Sequence, residues 1–429
     1  MKWLVIIMIF LQGALVSGTV EKVEINGAEV SFIHEQNRAL PIVSLQLVIK
    51  NAGSLYDGDK SGLVRFASSM LGEGSKSKGA IKFAQELENR AISLNAHSGT
   101  ETFVFELSLL KEQYEFGMKM LKELLDEPNF SKESFEKIKR LTLGNISSKK
   151  SDFDYIASMN LREIIFKDTP LGQPFGGTKK SIEALKLEDI KEFYSSYIDL
   201  SNMLVVVGGD ISVDEVKASL KKLLKDVRVG KKRELGHFEV NKKTAIKKEV
   251  KDTQQAYIYF GAPYNLNSSD KDTYKAKVAG FILGESGFGS RLMEEIRVKR
   301  GLAYSAYART SINRSHSYFT GYLQTKNENL EEAKSVVISE IKKFVEKGVS
   351  QDELDQAKRF LLGSEPLRNE TLSQRLNRAF TEYYRGFELG HSKRQLELIE
   401  ALSLKDLNKF IKEHDEINKL SFSIVYDGK

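Results

Sequence analysis

The chain has 429 residues, and at ~100–200 residues per domain this length favours two or three globular units over one. Hydrophobic residues make up 41% and charged residues 29%, which excludes a disordered chain, and only 6 prolines are present, which favours long helices. The 65 lysines and arginines are interleaved with 59 acidic residues, unlike the basic stripe of a nucleic-acid-binding protein, and the absence of cysteine leaves histidine and carboxylates as metal ligands.

Residues 1–18 resemble a cleavable export signal. Met1 and Lys2 form a short positive start, an apolar run extends to Leu11, and the small residues Val16 and Gly18 stand where a signal peptidase cuts. A membrane-spanning helix needs ~20 apolar residues, and this run has about half to two-thirds of that number. We therefore expect a mature chain that starts near Thr19, has no integral membrane segment, and is periplasmic or secreted.

Strands and helices alternate along the rest of the chain. Runs rich in apolar, β-branched or aromatic residues predict strands, and three- and four-residue apolar spacing predicts helices. The predicted strands are 43–50, 103–107, 203–207, 256–261, 318–323 and 420–426, and the predicted helices include 61–71, 110–125, 188–197 and 330–346. Capping boxes at Ser212–Glu215 and Ser350–Glu353 mark two further helix starts.

Three short motifs recur in order at nearly one offset. The sequence KRLTLG at 139–144 recurs as KRFLLG 219 residues later, LEDIKEF at 187–193 is echoed by LKDLNKF at 404–410, and VVVGG at 205–209 by IVYDG at 424–428. Three collinear matches indicate two copies of one unit of about 200 residues. Strands mixed with long helices then predict an α+β fold, in which each unit is a mainly antiparallel sheet covered by helices.

The repeat also predicts the domain boundaries. We expect a signal peptide at 1–18, a first unit at 19–226, a linker at 227–248 and a second unit at 249–429. The basic residues 231–233, 242–243 and 247–248 fall in this linker and are interpreted as a solvated connector. His97 and Glu101 fall in a strand-like run, where a surface position is a better interpretation than a metal site. The glycine-rich residues 284–289 follow a helix and are interpreted as a turn.

The helix at 61–71 resembles the inverted zinc helix of the pitrilysin (insulinase-like) family, which includes insulin-degrading enzyme and the mitochondrial processing peptidases. The match is GLVRFASSML at 62–71, but Arg65, Ser68 and Ser69 stand where the resemblance implies His, Glu and His. Asn145 stands where it implies the third ligand, a Glu. We therefore expect no metal and no catalytic residue in this chain, which resembles the short bacterial members that lack the zinc motif.

Two further segments extend the resemblance over the mature chain. PLGQPFGGT at 170–178 is similar to a conserved family segment, and SRLMEEIRVKRGLAYS at 290–305 is a close match to the segment with Arg-Gly-Leu-Ala-Tyr-Ser. In active members an Arg and a Tyr seven residues apart close over the scissile peptide. Arg297 and Tyr304 have that spacing, so the resemblance implies that they bind peptide substrate. It also implies that the two units face each other as a clamshell.

The resemblance favours a non-catalytic subunit, inactive alone. It would supply Arg297 and Tyr304 to a zinc-bearing homologous partner in a metalloendopeptidase complex, with zinc held by that partner. Three alternatives stay open: a scaffold or assembly protein of the same fold, an unaided peptidase with a relocated metal site, and a periplasmic solute-binding protein. Retention of Arg297 and Tyr304 favours the paired peptidase, because a scaffold does not need them.

Overall fold

The computed structural model describes residues 18–429, and the predicted signal peptide lies almost entirely outside them. Within the described residues, 11 strands form two sheets and 15 α-helices surround them. The strands are β1 Thr19–Ile25, β2 Ala28–Gln36, β3 Ile42–Lys50, β4 Ser93–Ser98, β5 Thr102–Leu110, β6 Met203–Gly209, β7 Ile246–Val250, β8 Gln255–Pro263, β9 Ala303–Ile312, β10 Ser317–Lys326 and β11 Ser421–Tyr426.

The four predicted helices are present, and the structure adds others. The helices are α1 Leu63–Leu71, α2 Gly79–Glu88, α3 Tyr114–Asp126, α4 Lys132–Ser148, α5 Phe153–Ile165, α6 Lys179–Ala184, α7 Leu187–Tyr197, α8 Val213–Leu224, α9 Thr273–Gly280, α10 Arg291–Met293, α11 Leu330–Lys347, α12 Gln351–Gly363, α13 Leu372–Tyr384, α14 His391–Ala401 and α15 Leu404–Glu413. Both predicted capping boxes are confirmed. The helix predicted from residue 110 begins later, because β5 continues to Leu110.

The two sheets repeat one topology, which confirms the predicted α+β fold with two homologous units. The first has the strand order β1-β2-β6-β3-β5-β4 and the second β7-β11-β8-β10-β9. Pairing is antiparallel throughout except for β2 with β6 and its counterpart β7 with β11, which are parallel. Strand β1 is the additional element of the first sheet. The repeated motifs at 139–144 and 358–363 lie in α4 and α12.

Each sheet packs its own helices on one face and a helix from the other unit on the opposite face. Helix α13 of the second unit packs on the first sheet, where Leu376 and Ala379 are buried against Ile33, Val48 and Leu204. Its counterpart α5, from the first unit, packs on β8 and β11 of the second sheet. The units therefore exchange equivalent helices, and both sheets are covered on both faces.

One basic residue of the segment between the units, Arg233, is anchored, whereas most of the others are exposed, as expected of a solvated connector. The half-buried Arg233 donates to a carboxylate oxygen of the buried Asp199 at 2.5 Å and to the carbonyl oxygens of Asn51 and Tyr197 at 2.9 Å each. The buried Asp199 carboxylate needs a partner such as this guanidinium, because burying a charge without a partner is costly. Strand β7 begins at Ile246, inside the segment 227–248 predicted as the linker.

Among residues 18–429, no helix is both long and apolar enough to cross a membrane.

Candidate functional site

Helix α1 contains the segment that resembles the family zinc helix, and a buried carboxylate caps its N-terminus. The carboxylate of Asp57 accepts hydrogen bonds from the backbone N–H groups of Gly62 and Val64, both at 2.8 Å. Gly62 has a φ of 91°, which favours glycine, and a side chain there would strike the backbone of Gly177. Burial raises the pKa of Asp57 to about 6, although the two backbone hydrogen bonds act in the opposite direction.

The side chains at the two His positions and the Glu position do not form a metal-binding set. Arg65 is exposed and its guanidinium lies 5.7 Å from the centre of the Phe175 ring. Ser68 is buried, and its hydroxyl donates to the carbonyl oxygen of Arg65 at 2.8 Å; the Ser69 hydroxyl donates to the same oxygen at 3.1 Å. Both hydroxyls are thus hydrogen-bonded to the backbone of their own helix.

The position of the third ligand is equally unsuited to zinc. Asn145 is exposed on α4, the helix that packs against α1. Zinc in proteins is bound by thiolate, imidazole or carboxylate groups, none of which these four positions provide. Across the described residues no cluster of three or more His, Asp or Glu side chains is arranged to bind a metal ion. The residues present do not fit zinc.

Arg297 and Tyr304 lie together, and a third side chain joins them. The Arg297 guanidinium lies 4.3 Å from the centre of the Tyr304 ring and 4.6 Å from the centre of the Phe288 ring. Both rings are largely exposed, Tyr304 at 80% and Phe288 at 69%. Contact with two aromatic faces orients the guanidinium while its N–H groups stay available to a ligand.

A β-bulge explains why Tyr304 leaves the core. Leu323 pairs with Ala306, and Thr325 with Ala303, so between these pairs two residues of β9 lie opposite one residue of β10. Ala303 and Ala306 are buried in the core of the second unit, and Tyr304 is one of the two residues between them. A bulge of this kind redirects side chains. It therefore exposes the Tyr304 phenol beside Arg297.

The helix that holds Arg297 is anchored from its N-terminal end. Helix α10 continues into a π-helical turn, Glu294–Val298, that contains Arg297. Arg291 forms a bidentate ion pair with Glu353, at 2.5 Å and 2.8 Å, and donates to the carbonyl oxygen of Gly348 at 2.8 Å. This ion pair attaches the segment to the capping box of α12 and so fixes the backbone that holds Arg297.

Two expectations about His97 and Glu101 have different outcomes. His97 is exposed in β4, but Glu101 lies in the turn between β4 and β5 rather than in a strand. Its carboxylate accepts from the backbone N–H and the hydroxyl of Ser315 in the other unit, at 2.8 Å and 2.6 Å.

Phe288 was not predicted as a site residue; a phenylalanine between two glycines in an exposed turn is the signal that could have identified it.

The chain is similar to proteins of one peptidase family. The family model described as "Insulinase (Peptidase family M16)" matches residues 31–179, and that described as "Peptidase M16 inactive domain" matches residues 184–361. A relative from Helicobacter pylori, named "Non-peptidase homolog YmxG", is 42% identical over 428 residues, which is 100% of this chain and 99% of that protein.

Solved structures share the fold over nearly the whole chain. A peptidase M16 inactive domain from Pseudomonas fluorescens has a TM-score of 0.89 at 23% identity and covers 96% of this chain and 98% of that chain. A protease from Helicobacter pylori has a TM-score of 0.83 at 17% identity and covers 95% of this chain and 99% of that chain. At these identities, the two structures show that the fold is shared.

Proposed function

Because the chain belongs to the insulinase family of peptidases, family M16, we propose that it is a non-catalytic subunit that binds peptide substrate for a zinc-bearing partner. The loss of every zinc position supports the first part. Arg65, Ser69 and Asn145 cannot replace the imidazole and carboxylate ligands, and Ser68 cannot replace the general base. The relative that is 42% identical over the whole chain is itself named a non-peptidase homologue.

The single observation that carries the second part is the exposed contact of Arg297 with Tyr304 and Phe288. A solvated surface arginine is not usually held between aromatic rings. Here the Arg297 guanidinium lies 4.3 Å from the centre of the Tyr304 ring, so the guanidinium N–H groups and the phenol O–H are donors at one place on the surface. Guanidinium N–H groups and a phenol O–H can both donate to a peptide carbonyl oxygen. The same donors stabilise that oxygen as negative charge develops on it during attack by water.

The partner would supply what this chain lacks. Zinc held by a homologous chain would activate the attacking water, while Arg297 and Tyr304 fix the substrate carbonyl. Helicobacter pylori supports the idea of a pair, because it has both the non-peptidase relative and a protease of the same fold and length. A scaffold of the same fold is the alternative, and it predicts that Arg297 and Tyr304 are dispensable.

We also propose that the chain is exported and acts in the periplasm or outside the cell. The support is the sequence of residues 1–18, which has the positive start, apolar run and small residues of an export signal. N-terminal sequencing of protein from a periplasmic extract is expected to begin within a few residues of Thr19. Recovery of protein that retains Met1 would contradict export with cleavage.

Mixing tests the pairing. This chain and a homologue from the same organism with an intact His-x-x-Glu-His helix would be purified separately and assayed on extended peptides, alone and together. We expect no peptidase activity and less than about a tenth of an equivalent of zinc in this chain, and activity in the mixture. Zinc-dependent peptidase activity of this chain alone would contradict the proposal, as would a mixture no more active than the partner.

A further inference from the structure

A cavity of about 400 Å³ lies between helix α5 and the second sheet, outside the Arg297 site. Leu161, Ile165 and Phe166, from the end of α5 and just beyond it, form an apolar wall. The opposite wall is a row of tyrosines on β8, β9 and β10, and two arginines, Arg162 and Arg309, complete the lining. The walls thus combine aromatic surface with positive charge.

Arg162 is a largely buried cation without a counter-charge. Its Nε–H donates to the carbonyl oxygen of Leu171, and no carboxylate among residues 18–429 lies within ion-pair distance of its guanidinium. Burial lowers the pKa of Arg162, and burial together with the Arg162 charge lowers the pKa of nearby His316 to about 4. A guanidinium stays protonated even so, and a buried cation without a partner favours binding of an anion.

Arg309 adds a second charge at the open side. It is exposed on β9, and within the described part of the chain no carboxylate forms an ion pair with it. Two carboxylates nearby are already hydrogen-bonded to protein groups. Glu285 accepts from the backbone N–H of Thr310 at 2.9 Å, and Asp154 accepts from the Tyr259 hydroxyl at 3.0 Å.

The tyrosine row supplies neutral donors. The ring of Tyr322 stacks on that of Tyr259 at 5.4 Å between centres and lies 6.2 Å from that of Tyr307. The hydroxyls of Tyr307, Tyr318 and Tyr322 have no hydrogen-bond partner among residues 18–429, whereas that of Tyr259 is bound by Asp154. Free phenol hydroxyls beside a guanidinium are suitable donors to a carboxylate.

We infer that this cavity binds a carboxylate of a peptide, with the adjoining residue packed on the tyrosine rings. The carboxylate can be the peptide's C-terminus or an Asp or Glu side chain, since both have the same charge and geometry. The guanidinium of Arg162 pairs with it at depth, and Arg309 attracts it at the mouth.

The position of the cavity sets a spacing, and this part of the inference rests on the proposed function. Tyr304 and Arg309 lie on the same strand, five residues apart, which is roughly 16 Å at 3.3 Å per residue. An extended peptide held by Tyr304 at its scissile carbonyl would place a residue about five positions away at Arg309. Cleavage by the mixed complex should therefore be fastest with an acidic group about five residues from the cut.

Calorimetry on the purified full-length mature chain, without any partner, tests the site itself. Four acetylated octapeptides of neutral, apolar sequence form two pairs: free acid against C-terminal amide, and amides that contain one Glu or one Gln. We expect the charged member of at least one pair to bind about ten- to a hundred-fold tighter, the value of a hydrogen-bonded charge. If only the free acid and the amide differ in affinity, the site binds a C-terminal carboxylate. If only the Glu and Gln peptides differ, it binds an acidic side chain.

Variants identify the residues. Arg162→Lys keeps the charge but loses the planar donor pair and should abolish most of the preference, whereas Arg309→Gln changes an exposed side chain and should reduce the preference in part. Arg359→Gln, an exposed arginine on α12, is the matched control and should bind like the wild type. Equal affinity within both pairs, or equal losses in Arg309→Gln and Arg359→Gln, would overturn the site.

The two proposals fail separately. Binding that discriminates charge in the free chain, with a mixture that is inactive, would leave the carboxylate site intact and reject the paired peptidase. An active mixture whose peptides show no charge preference in either assay would do the reverse.

Discussion

Ser68 shows why the Glu of the family helix, its general base, would be lost together with the metal. The side chain is only 3% exposed, and its hydroxyl is satisfied by the carbonyl oxygen of Arg65. A glutamate at this position without a metal would bury a charge with no partner, at a cost of several kcal/mol. Once one ligand is absent, small hydroxyls that bond to their own helix are the stable replacement.

The raised pKa of Asp57 makes the stability of the fold depend on pH. Burial raises its pKa from 3.8 to about 6, so the folded protein binds this proton more tightly than the unfolded chain does. Its contribution to stability is therefore fully present below pH 3.8 and is lost as pH rises through 6. Two pKa units correspond to roughly 3 kcal/mol at most.

The Asp57→Asn variant isolates this contribution. Asparagine has nearly the same shape and does not titrate, so from pH 4 to pH 7 the variant should gain up to about 3 kcal/mol relative to the wild type. Urea unfolding at both pH values measures the difference. Asp59→Asn, at an exposed position, is the control and should show no such change. Parallel pH profiles of wild type and Asp57→Asn would contradict the assignment.

At the scale of elements, the sequence analysis located six of the 11 strands and six of the 15 helices, but not where they pack. Apolar spacing and capping boxes located α8, α11 and α12, because those signals are local. The exchange of α5 and α13 could not be predicted, since an amphipathic helix has the same pattern whichever sheet it covers. The bulge in β9 has no sequence signal either, although Tyr304 was identified through the motif that contains it.

Leu376 tests the packing of α13 on the first sheet. Its side chain is 3% exposed and lies in the cluster with Ile33, Val48 and Leu204. Leu376→Ala should lower the free energy of unfolding by about 2–5 kcal/mol, the usual cost of such a cavity. Leu367→Ala, at a position 68% exposed, should cost less than about 0.5 kcal/mol. Equal effects would show that α13 does not cover the sheet in solution.

At the scale of the whole molecule, the repeat is visible in the sequence but the dependence between its copies is not. Three collinear motifs reveal two units, and the matching strand orders confirm them. However, each unit covers its sheet with a helix of the other, and Glu101 of the first unit binds Ser315 of the second. Because of these contacts, neither unit is complete alone. Contacts between residues far apart in the chain leave no local sequence pattern, so this dependence could not be predicted.

This dependence predicts the behaviour of a split chain. Residues 19–235 without α13 would expose the apolar face that contains Ile33, Val48 and Val104, and residues 236–429 would lack α5. Expressed singly, each fragment should aggregate or lack fixed tertiary structure. Co-expressed, the fragments should copurify as one soluble complex with the near-ultraviolet circular dichroism of the intact chain. Two soluble, independently folded fragments would contradict the exchange.

We propose that Arg297 and Tyr304 act on substrate in a complex whose metal is bound by another chain. The most direct test is kcat/KM of the mixed complex with wild type, with the double variant Arg297→Ala/Tyr304→Phe, and with Arg300→Ala. Arg300 is the control, because it is exposed three residues further on and pairs with Glu295 instead.

We expect kcat/KM of the double variant to fall roughly ten- to a thousand-fold, the range for losing an oxyanion donor, while Arg300→Ala matches the wild type and all three complexes keep the same stoichiometry. Unchanged turnover by a double variant that still assembles would contradict the account and leave a scaffold.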